Sequence, residues 1–76
     1  MVEVFKTTVQ DHATASILVH EIQKRIISAK VNFDLEDCDR ILRVEVSQNH
    51  FNWDVIIEVI QGAGYKAELL SEKIYF

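Results

Sequence analysis

The sequence predicts an α+β fold in which two helices cover one face of a four-stranded antiparallel sheet. Two segments repeat apolar residues three or four positions apart, which is the spacing of a helix with one buried face. Four other segments alternate apolar and polar residues, as strands with one buried face do. The order along the chain is β-α-β-β-α-β, and 76 residues suffice for one domain over residues 1–76. Two right-handed split units in this order predict a ferredoxin-like sandwich.

The first strand and the first helix are predicted at residues 2–9 and 13–27. VEVFKTTV alternates and is rich in β-branched and aromatic residues, which favours a strand. In the helix, apolar residues recur every four positions and form one stripe. Asp11 or Thr14 is placed to cap the start of this helix. The residues predicted to face the core are Phe5, Thr7 and Val9 of the strand and Ala15, Leu18, Val19, Ile22 and Ile26 of the helix.

A hairpin, a second helix and a last strand follow. Residues 30–35 and 40–46 alternate, and the polar stretch EDCD between them predicts the hairpin turn. WDVIIEVIQGAG has the helical period, and its Gly64 suits the left-handed position after a helix end. YKAELL is typical of a strand, and SEKIYF is a tail that extends it. The inward residues predicted here are Val31, Phe33, Leu35, Leu42, Val44 and Val46 of the hairpin, and Val55 or Ile56 with Val59 and Ile60 of the helix.

Composition excludes several kinds of partner. The net charge of −4 argues against nucleic acid and against an anionic membrane surface, because both are bound mainly through clustered Lys and Arg. Cys38 is the single cysteine, so the fold does not depend on an internal disulfide. The N-terminal stretch MVEVFKTTVQ lacks the unbroken apolar core of a signal peptide, and no apolar run reaches the length of a membrane span. These features predict a soluble, cytoplasmic protein.

An RNA-recognition module has the same order of elements and is therefore an alternative. Such a module exposes aromatic residues on its two central strands and carries a basic surface. Here Phe5 is predicted to point inward, so no aromatic ring is offered to a base. The net charge is −4, so the basic surface is also missing. No Ser-His-Asp or Cys-His motif supports an enzyme. The residues predicted on the open face of the sheet are Lys6, Thr8, Asn32, Asp34, Arg43 and Glu45.

The chain resembles the heavy-metal-associated domain family, of the copper chaperone type. The resemblance rests on the opening strand FKTTV, the helix with Leu18 and Ile22, the hairpin VNFDLEDCDRILRVEV and, above all, the stretch IIEVIQGAGYKAEL at residues 56–69. It covers nearly the whole chain, and the order and spacing of the parts are more specific than any one part. The resemblance implies the ferredoxin-like fold and places Tyr65 beside the loop that binds metal in the family.

The metal-binding segment of that family, Met-x-Cys-x-x-Cys, lies between the first strand and the first helix. Its two thiolates hold a soft ion such as Cu(I), and soft ions need soft ligands. In this chain the segment falls within VQDHATAS and contains no cysteine. The ligands of the family therefore have no counterpart here, and the sequence predicts Cu(I) binding far weaker than that of the thiolate-bearing relatives.

A metal site built from other ligands is an alternative, at one end of the sheet. The loop after the first strand, the hairpin turn and the loop before the last strand meet there and bring His12, Cys38 and Tyr65 to one end. An imidazole, a thiolate and carboxylates suit a divalent transition metal such as Zn(II). The same residues also fit ordinary polar loops, because no C-x-x-C or H-x-x-x-H spacing is present. The carboxylates on these loops are those of Asp11, Asp37 and Asp39.

The remaining histidines and aromatic residues have plainer interpretations. His20 is predicted to face solvent, and His50 lies before the second helix, at the opposite end from His12. Phe51 and Trp53 are predicted to cover the bottom of the small core; if exposed, they would form a patch for a protein partner. The segment IYF at residues 74–76 is able to pair with a sheet edge, and such pairing between two copies would give a homodimer.

The favoured hypothesis is a small, non-catalytic interaction module that resembles a heavy-metal-associated domain whose thiolate site has been lost. Its expected partner is another protein. The alternative is a metal-ion carrier or chaperone with a site remodelled from His12, Asp11 and Cys38. A regulatory domain of a larger transporter or enzyme is the third interpretation.

Overall fold

The fold is α+β, with a four-stranded antiparallel sheet and two helices, as the sequence predicts. A computed structural model describes residues 1–47 and 51–70. The strand order across the sheet is β2-β3-β1-β4, and each neighbouring pair is antiparallel. The elements are β1 (Val2–Thr7), α1 (His12–Arg25), β2 (Lys30–Asp34), β3 (Ile41–Glu45), α2 (Asp54–Gly62) and β4 (Ala67–Leu69).

The core lies between the two helices and one face of the sheet. Alternation along the strands sends Phe5 and Leu42 inward, where both are fully buried. The helices meet them with Ile22, Ile56 and Ile60, which are also fully buried. Each such side chain stabilises the fold by about 1.5–3 kcal/mol through the apolar surface it removes from water. The opposite face carries the exposed residues predicted for it, Lys6, Thr8, Asn32, Asp34, Arg43 and Glu45.

Helix α1 starts one residue earlier and ends two residues earlier than predicted. Ile26 belongs to the buried stripe but has extended backbone angles, φ −131° and ψ 92°, and serves as the C-cap. The next turn closes when the Ala29 amide donates to the Ile26 carbonyl at 3.1 Å. The apolar stripe therefore continues one position beyond the last helical residue, so the apolar spacing alone overestimates the length of the helix.

The turn between β2 and β3 is held by one aspartate and one arginine. Asp37 Oδ1 accepts from the Asp39 amide at 2.8 Å, and the Asp37 carbonyl accepts from the Arg40 amide at 3.0 Å. Arg40 has a φ of 48°, in the left-handed region, and its Nη1 donates to the Leu35 carbonyl at 2.8 Å. The predicted polar turn is confirmed, with Arg40 in the conformation for which a glycine would have been the sequence signal.

The C-terminal end of α2 forms the expected glycine cap. The Gly64 amide donates to the Gln61 carbonyl at 2.9 Å, and the Tyr65 amide donates to the Ile60 carbonyl at 3.1 Å. This is the bond pair of a Schellman motif, and it needs a left-handed residue, which Gly64 supplies with a φ of 94°. The motif directs Tyr65 back toward the core, where its ring packs.

The start of α2 is held by aromatic packing. Trp53, the N-cap residue, makes no side-chain capping hydrogen bond. Its ring instead contacts Phe51 at 4.8 Å and Phe5 at 6.1 Å between ring centroids. Phe51 and Trp53 are half-buried against the core cluster, which agrees with their predicted covering role.

Candidate functional site

Three loops converge at one end of the sheet, as the topology predicts. Thr7, the last residue of β1, is opposite Ala67, the first residue of β4. Ile41, the first residue of β3, is opposite both Lys6 of β1 and Asp34 of β2. The loops that follow β1 and β2, and the one that precedes β4, therefore lie at the same end. We call this the loop end.

At the loop end, Asp11 is the N-cap of α1. Its Oδ2 accepts from the Thr14 amide at 2.9 Å, and its Oδ1 accepts from the Thr14 hydroxyl at 2.8 Å. These bonds, the amide bond first, lower the pKa of Asp11 below its ordinary value. Sequence reasoning offered Asp11 both as a cap and as a metal ligand. In the structure both of its carboxylate oxygens are engaged in the cap.

His12 follows this cap in the chain, and Tyr65 contacts it from the loop before β4. His12 is the first residue of α1 and is exposed. The Tyr65 hydroxyl is 3.5 Å from the Thr14 hydroxyl, so Tyr65 contacts the capped turn through Thr14. The structure thus joins Asp11, Thr14 and Tyr65 into one hydrogen-bonded set. Thr14 was predicted only as a possible cap, yet it is the residue that links the other two.

Cys38 lies in the hairpin turn with an exposed, free thiol. Its sulfur and one oxygen each of Asp37 and Asp39 all lie within 4.8 Å of one another. Within residues 1–47 and 51–70 this is the single group of three or more such ligands, and Asp11 and His12 are not members of it. Asp39 Oδ1 is also 3.8 Å from Lys6 Nζ. The structure therefore groups Cys38 with its sequence neighbours.

His20, a further histidine named by the sequence, lies in the middle of α1. His20 is exposed on α1, as predicted. His50 and the segment IYF at residues 74–76 lie outside the described residues. In the described part of the chain, no helix is long and apolar enough to cross a bilayer.

The alternation of hydrogen bonds in the sheet shows toward which neighbouring strand the amide and carbonyl of each residue point. Met1, just before β1, and Val46, just after β3, exchange both main-chain bonds, at 2.6 and 2.8 Å, so they form a hydrogen-bonded pair that continues the β1–β3 ladder. Such pairs alternate along antiparallel strands. Val44 and Leu42 lie two and four residues before Val46, so their amides and carbonyls also bond to β1. The remaining residues of β3, Ile41, Arg43 and Glu45, therefore direct their amides and carbonyls toward β2.

The outer edge of β2 is the second candidate site. Since Lys30, Asn32 and Asp34 are opposite the β3 residues that face β2, they make the ladder bonds. Val31 and Phe33 then direct their amides and carbonyls away from the sheet. β2 pairs only with β3, and no residue within 1–47 or 51–70 hydrogen-bonds to these outward groups. We call these four main-chain groups the β2 edge.

The side chains of the β2 edge are arranged by the same alternation. Val31 is buried, and Phe33 is half-buried against the core. Lys30, Asn32 and Asp34 are exposed on the open face, with a positive charge at one end of the strand and a negative charge at the other. Sequence reasoning placed edge pairing at the C-terminal tail and missed β2, because edge position depends on the strand order.

Two surface depressions lie elsewhere. One, of ≈ 440 Å³, is open and lies between β1, β4 and the end of α2; its lining residues are Lys6, Thr7, Thr8, Gln61, Lys66, Ala67 and Glu68. Another, of ≈ 290 Å³, lies between the helices beside Ile17, which is 63% exposed. Neither depression is lined by Asp11, His12 or Cys38, all three of which are exposed.

No family model, curated protein or solved structure matches this chain.

Proposed function

We propose that this chain is a small, non-catalytic interaction module that binds another protein along the β2 edge. The observation that carries the proposal is the set of outward amides and carbonyls of Val31 and Phe33, which no described residue satisfies. An extended segment of a partner pairs readily with such an edge, because main-chain hydrogen bonds supply affinity whatever the partner's sequence. The exposed charges of Lys30 and Asp34 then select among partners.

The fold in this proposal is the ferredoxin-like sandwich of a heavy-metal-associated domain without its thiolate site. The β-α-β-β-α-β order, the strand order β2-β3-β1-β4 and the glycine cap before Tyr65 support it. At the position of the family's two cysteines stands a helix cap made by Asp11 and Thr14. Because the Asp11 and Thr14 side chains of this loop hydrogen-bond to each other and to the helix start, the loop has a structural role. This supports a module that works without a soft metal ion.

The open face of the sheet favours a protein partner over RNA. Phe5 on the central strand β1 is fully buried, so its ring is not offered to a base. The exposed residues there include Lys6, Arg43 and Glu45, which mix both signs of charge. With a net charge of −4 over the whole chain, phosphate binding gains little electrostatic attraction.

The test selects peptides that bind the unmodified protein and then compares their binding to a protein whose β2 edge is blocked. The chain is made by chemical ligation at Cys38, either unmodified or with an N-methyl group on the amide of Phe33. This methyl group removes an outward donor and leaves every ladder bond and every side chain in place. The matched control carries the N-methyl group on Gln10, an exposed loop residue whose amide makes no hydrogen bond within the described chain. A displayed random-peptide library is selected on the unmodified protein.

We expect the selected peptides to bind the unmodified protein and the Gln10 control, and to lose binding to the Phe33-methylated protein. The reason is that the methyl group removes one main-chain bond and blocks the approach of a pairing strand. Circular dichroism melts of all three proteins check that the fold is intact. Selected peptides that bind the Phe33-methylated protein equally well, or a selection that enriches none, would refute the proposal.

A second candidate, metal binding at the loop end, is favoured by the grouping of Cys38 with Asp37 and Asp39 within 4.8 Å. A thiolate and carboxylates suit Zn(II), and His12, the first residue of α1, lies at the same loop end. The test is an NMR titration of the protein and of Cys38→Ser with Zn(II). Shifts confined to residues 11–14, 36–39 and 64–66, and lost in Cys38→Ser, support this candidate. Shifts elsewhere, or none, eliminate it.

A further inference from the structure

We propose that the partner of the β2 edge is a second copy of this chain, paired antiparallel about a two-fold axis at Asn32. This inference rests on the proposed function, because it names the partner for the same edge. The resulting assembly is a continuous eight-stranded sheet that extends from the four strands of each copy. A two-fold interface closes on itself, so the pairing stops at a dimer.

The register of the pairing follows from the alternation of outward groups. Only Val31 and Phe33 direct their main chains outward, so a hydrogen-bonded pair across the axis must join these residues. Three symmetric registers do so: Val31 opposite Val31, Phe33 opposite Phe33, or Val31 opposite Phe33. Only the third register places both Val31 and Phe33 of each copy in hydrogen-bonded pairs within the strand. Each of the two pairs has two main-chain bonds, so four bonds form.

Charge selects the same register. When Val31 is opposite Phe33 of the second copy, Lys30 is opposite the second copy's Asp34, and the symmetric contact repeats the pair. The Val31–Val31 register leaves Lys30 opposite Asn32. The Phe33–Phe33 register leaves Asp34 opposite Asn32 and places Lys30 opposite Glu36, which lies in the turn beyond the end of β2, so only the Val31–Phe33 register pairs opposite charges within the strand. Cross-strand pairs of opposite charge stabilise a sheet, and like charges oppose it. The sequence KVNFD is therefore self-complementary when it is read antiparallel to itself.

Both faces of the new strand pair are matched. On the open face the two Asn32 side chains meet across the axis, at a distance where their amides can hydrogen-bond. On the helix face Val31 lies opposite Phe33, whose half-buried ring gains cover from the second copy. Within its own sheet Lys30 is opposite Glu45, so in the dimer its ammonium lies between two carboxylates.

The dimer is expected to be weak and concentration-dependent. It is built on one five-residue strand from each copy, which places its buried area at the low end of specific interfaces. Each copy also carries a net charge of −4, so the copies repel each other at long range. The appropriate measurements are sedimentation equilibrium and amide shifts followed from micromolar to millimolar protein, with chelator present to exclude a metal-bridged dimer.

The decisive variants reverse the charges at the two ends of β2. Lys30→Glu or Asp34→Lys alone places like charges opposite each other twice in the homodimer, and each is expected to weaken it about tenfold. An equimolar mixture of the two single variants is expected to form a heterodimer, because opposite charges then meet at both ends. The double variant is expected to dimerise like the wild type. The controls, Lys66→Glu and Glu68→Lys, make the same charge changes on the exposed β4 side.

Thermal melts check the fold of each variant, since Lys30→Glu also faces Glu45 within the sheet. Dilution-dependent amide shifts centred on residues 30–34, with restoration by mixing, support the dimer. A chain that is monomeric at millimolar concentration, or a dimer indifferent to both charge reversals, overturns it. In that case the selected peptides still decide the proposed function: if they bind the β2 edge, the module stands and only the second copy is wrong.

Discussion

At the scale of single residues, the hydroxyl of Thr7 joins the end of β1 to the hairpin turn. It donates to the Arg40 carbonyl at 2.7 Å and accepts from the Val9 amide at 3.2 Å. The residue is 5% exposed, so water cannot replace either bond. The same bonds explain why β1 ends at Thr7, although the alternating pattern continues to Val9, which remains buried.

We expect Thr7→Val to lower the free energy of unfolding by about 1–3 kcal/mol, because the isosteric side chain leaves the buried Val9 amide and the part-buried Arg40 carbonyl without their partner. Thr7→Ser keeps the hydroxyl and is the control, with a smaller loss. Urea unfolding of the three proteins measures the difference. If Thr7→Val is as stable as the wild type, the hydroxyl does not hold this junction.

The Asp11 cap predicts a specific acid dependence. Its folded-state pKa is lowered, first by the Thr14 amide and next by the Thr14 hydroxyl, so it lies below the unfolded value near 3.8. The stabilisation is therefore complete above that value and is lost as the pH falls through the folded-state pKa. Asp11→Asn retains an acceptor for the cap, so its melting temperature should lack the acid-dependent contribution of the Asp11 carboxylate. Asp11→Ala should melt at a lower temperature than the wild type at neutral pH.

The measurement for this cap is the thermal midpoint from neutral pH to well below 3.8. The difference between wild type and Asp11→Asn should shrink as the pH falls, since both then lack the carboxylate. A difference that grows in acid would show that Asp11 is not held ionised by the cap.

At the scale of elements, the hairpin turn contains a backbone conformation that the sequence does not reveal. Arg40 occupies the left-handed region at a φ of 48°, which costs an L-residue about 1–2 kcal/mol. Its guanidinium bond to the Leu35 carbonyl offsets part of that cost. A turn without glycine gave no signal for this conformation, because the compensating bond depends on the folded positions of both residues.

The turn predicts an inverted order of stability at position 40. Arg40→Gly loses the guanidinium bond but relieves the backbone, while Arg40→Ala loses the bond and keeps the backbone strain. We therefore expect Arg40→Gly to be more stable than Arg40→Ala by about 1 kcal/mol, measured by chemical denaturation. The opposite order, which is usual in helices and strands, would show that Arg40 is not left-handed in solution.

The elements themselves were predicted well, and their ends less well. Period-two and helical spacing identified the fully buried residues Phe5, Leu42, Ile22 and Ile60, because burial is what those spacings encode. The ends of β1 and α1 moved because specific hydrogen bonds, such as those of Thr7, override a continuing apolar pattern. Gly64 was predicted correctly, since a glycine after a helix has a direct conformational reason.

At the scale of the whole molecule, the order of elements predicted which residues lie at the loop end but not which of them contact each other. The order of elements places His12, Cys38 and Tyr65 at one end of the sheet, and the strand register agrees. Whether their side chains meet depends on local bonds, and Asp11 turned out to be committed to Thr14. The β2 edge was missed for a related reason: its outward groups depend on both strand order and hydrogen-bond register.

Our proposal is that this chain acts through protein contacts and holds no soft metal ion tightly. Its most direct test is a Cu(I) titration of the dilute, monomeric chain in competition with a strong chelator, with Cys38→Ser as the control. Two thiolates are needed to hold Cu(I) tightly, and the monomer has one. We predict that the chelator retains the Cu(I) and that wild type and Cys38→Ser behave alike. One equivalent of Cu(I) retained by the wild-type monomer, and lost in Cys38→Ser, would contradict the account.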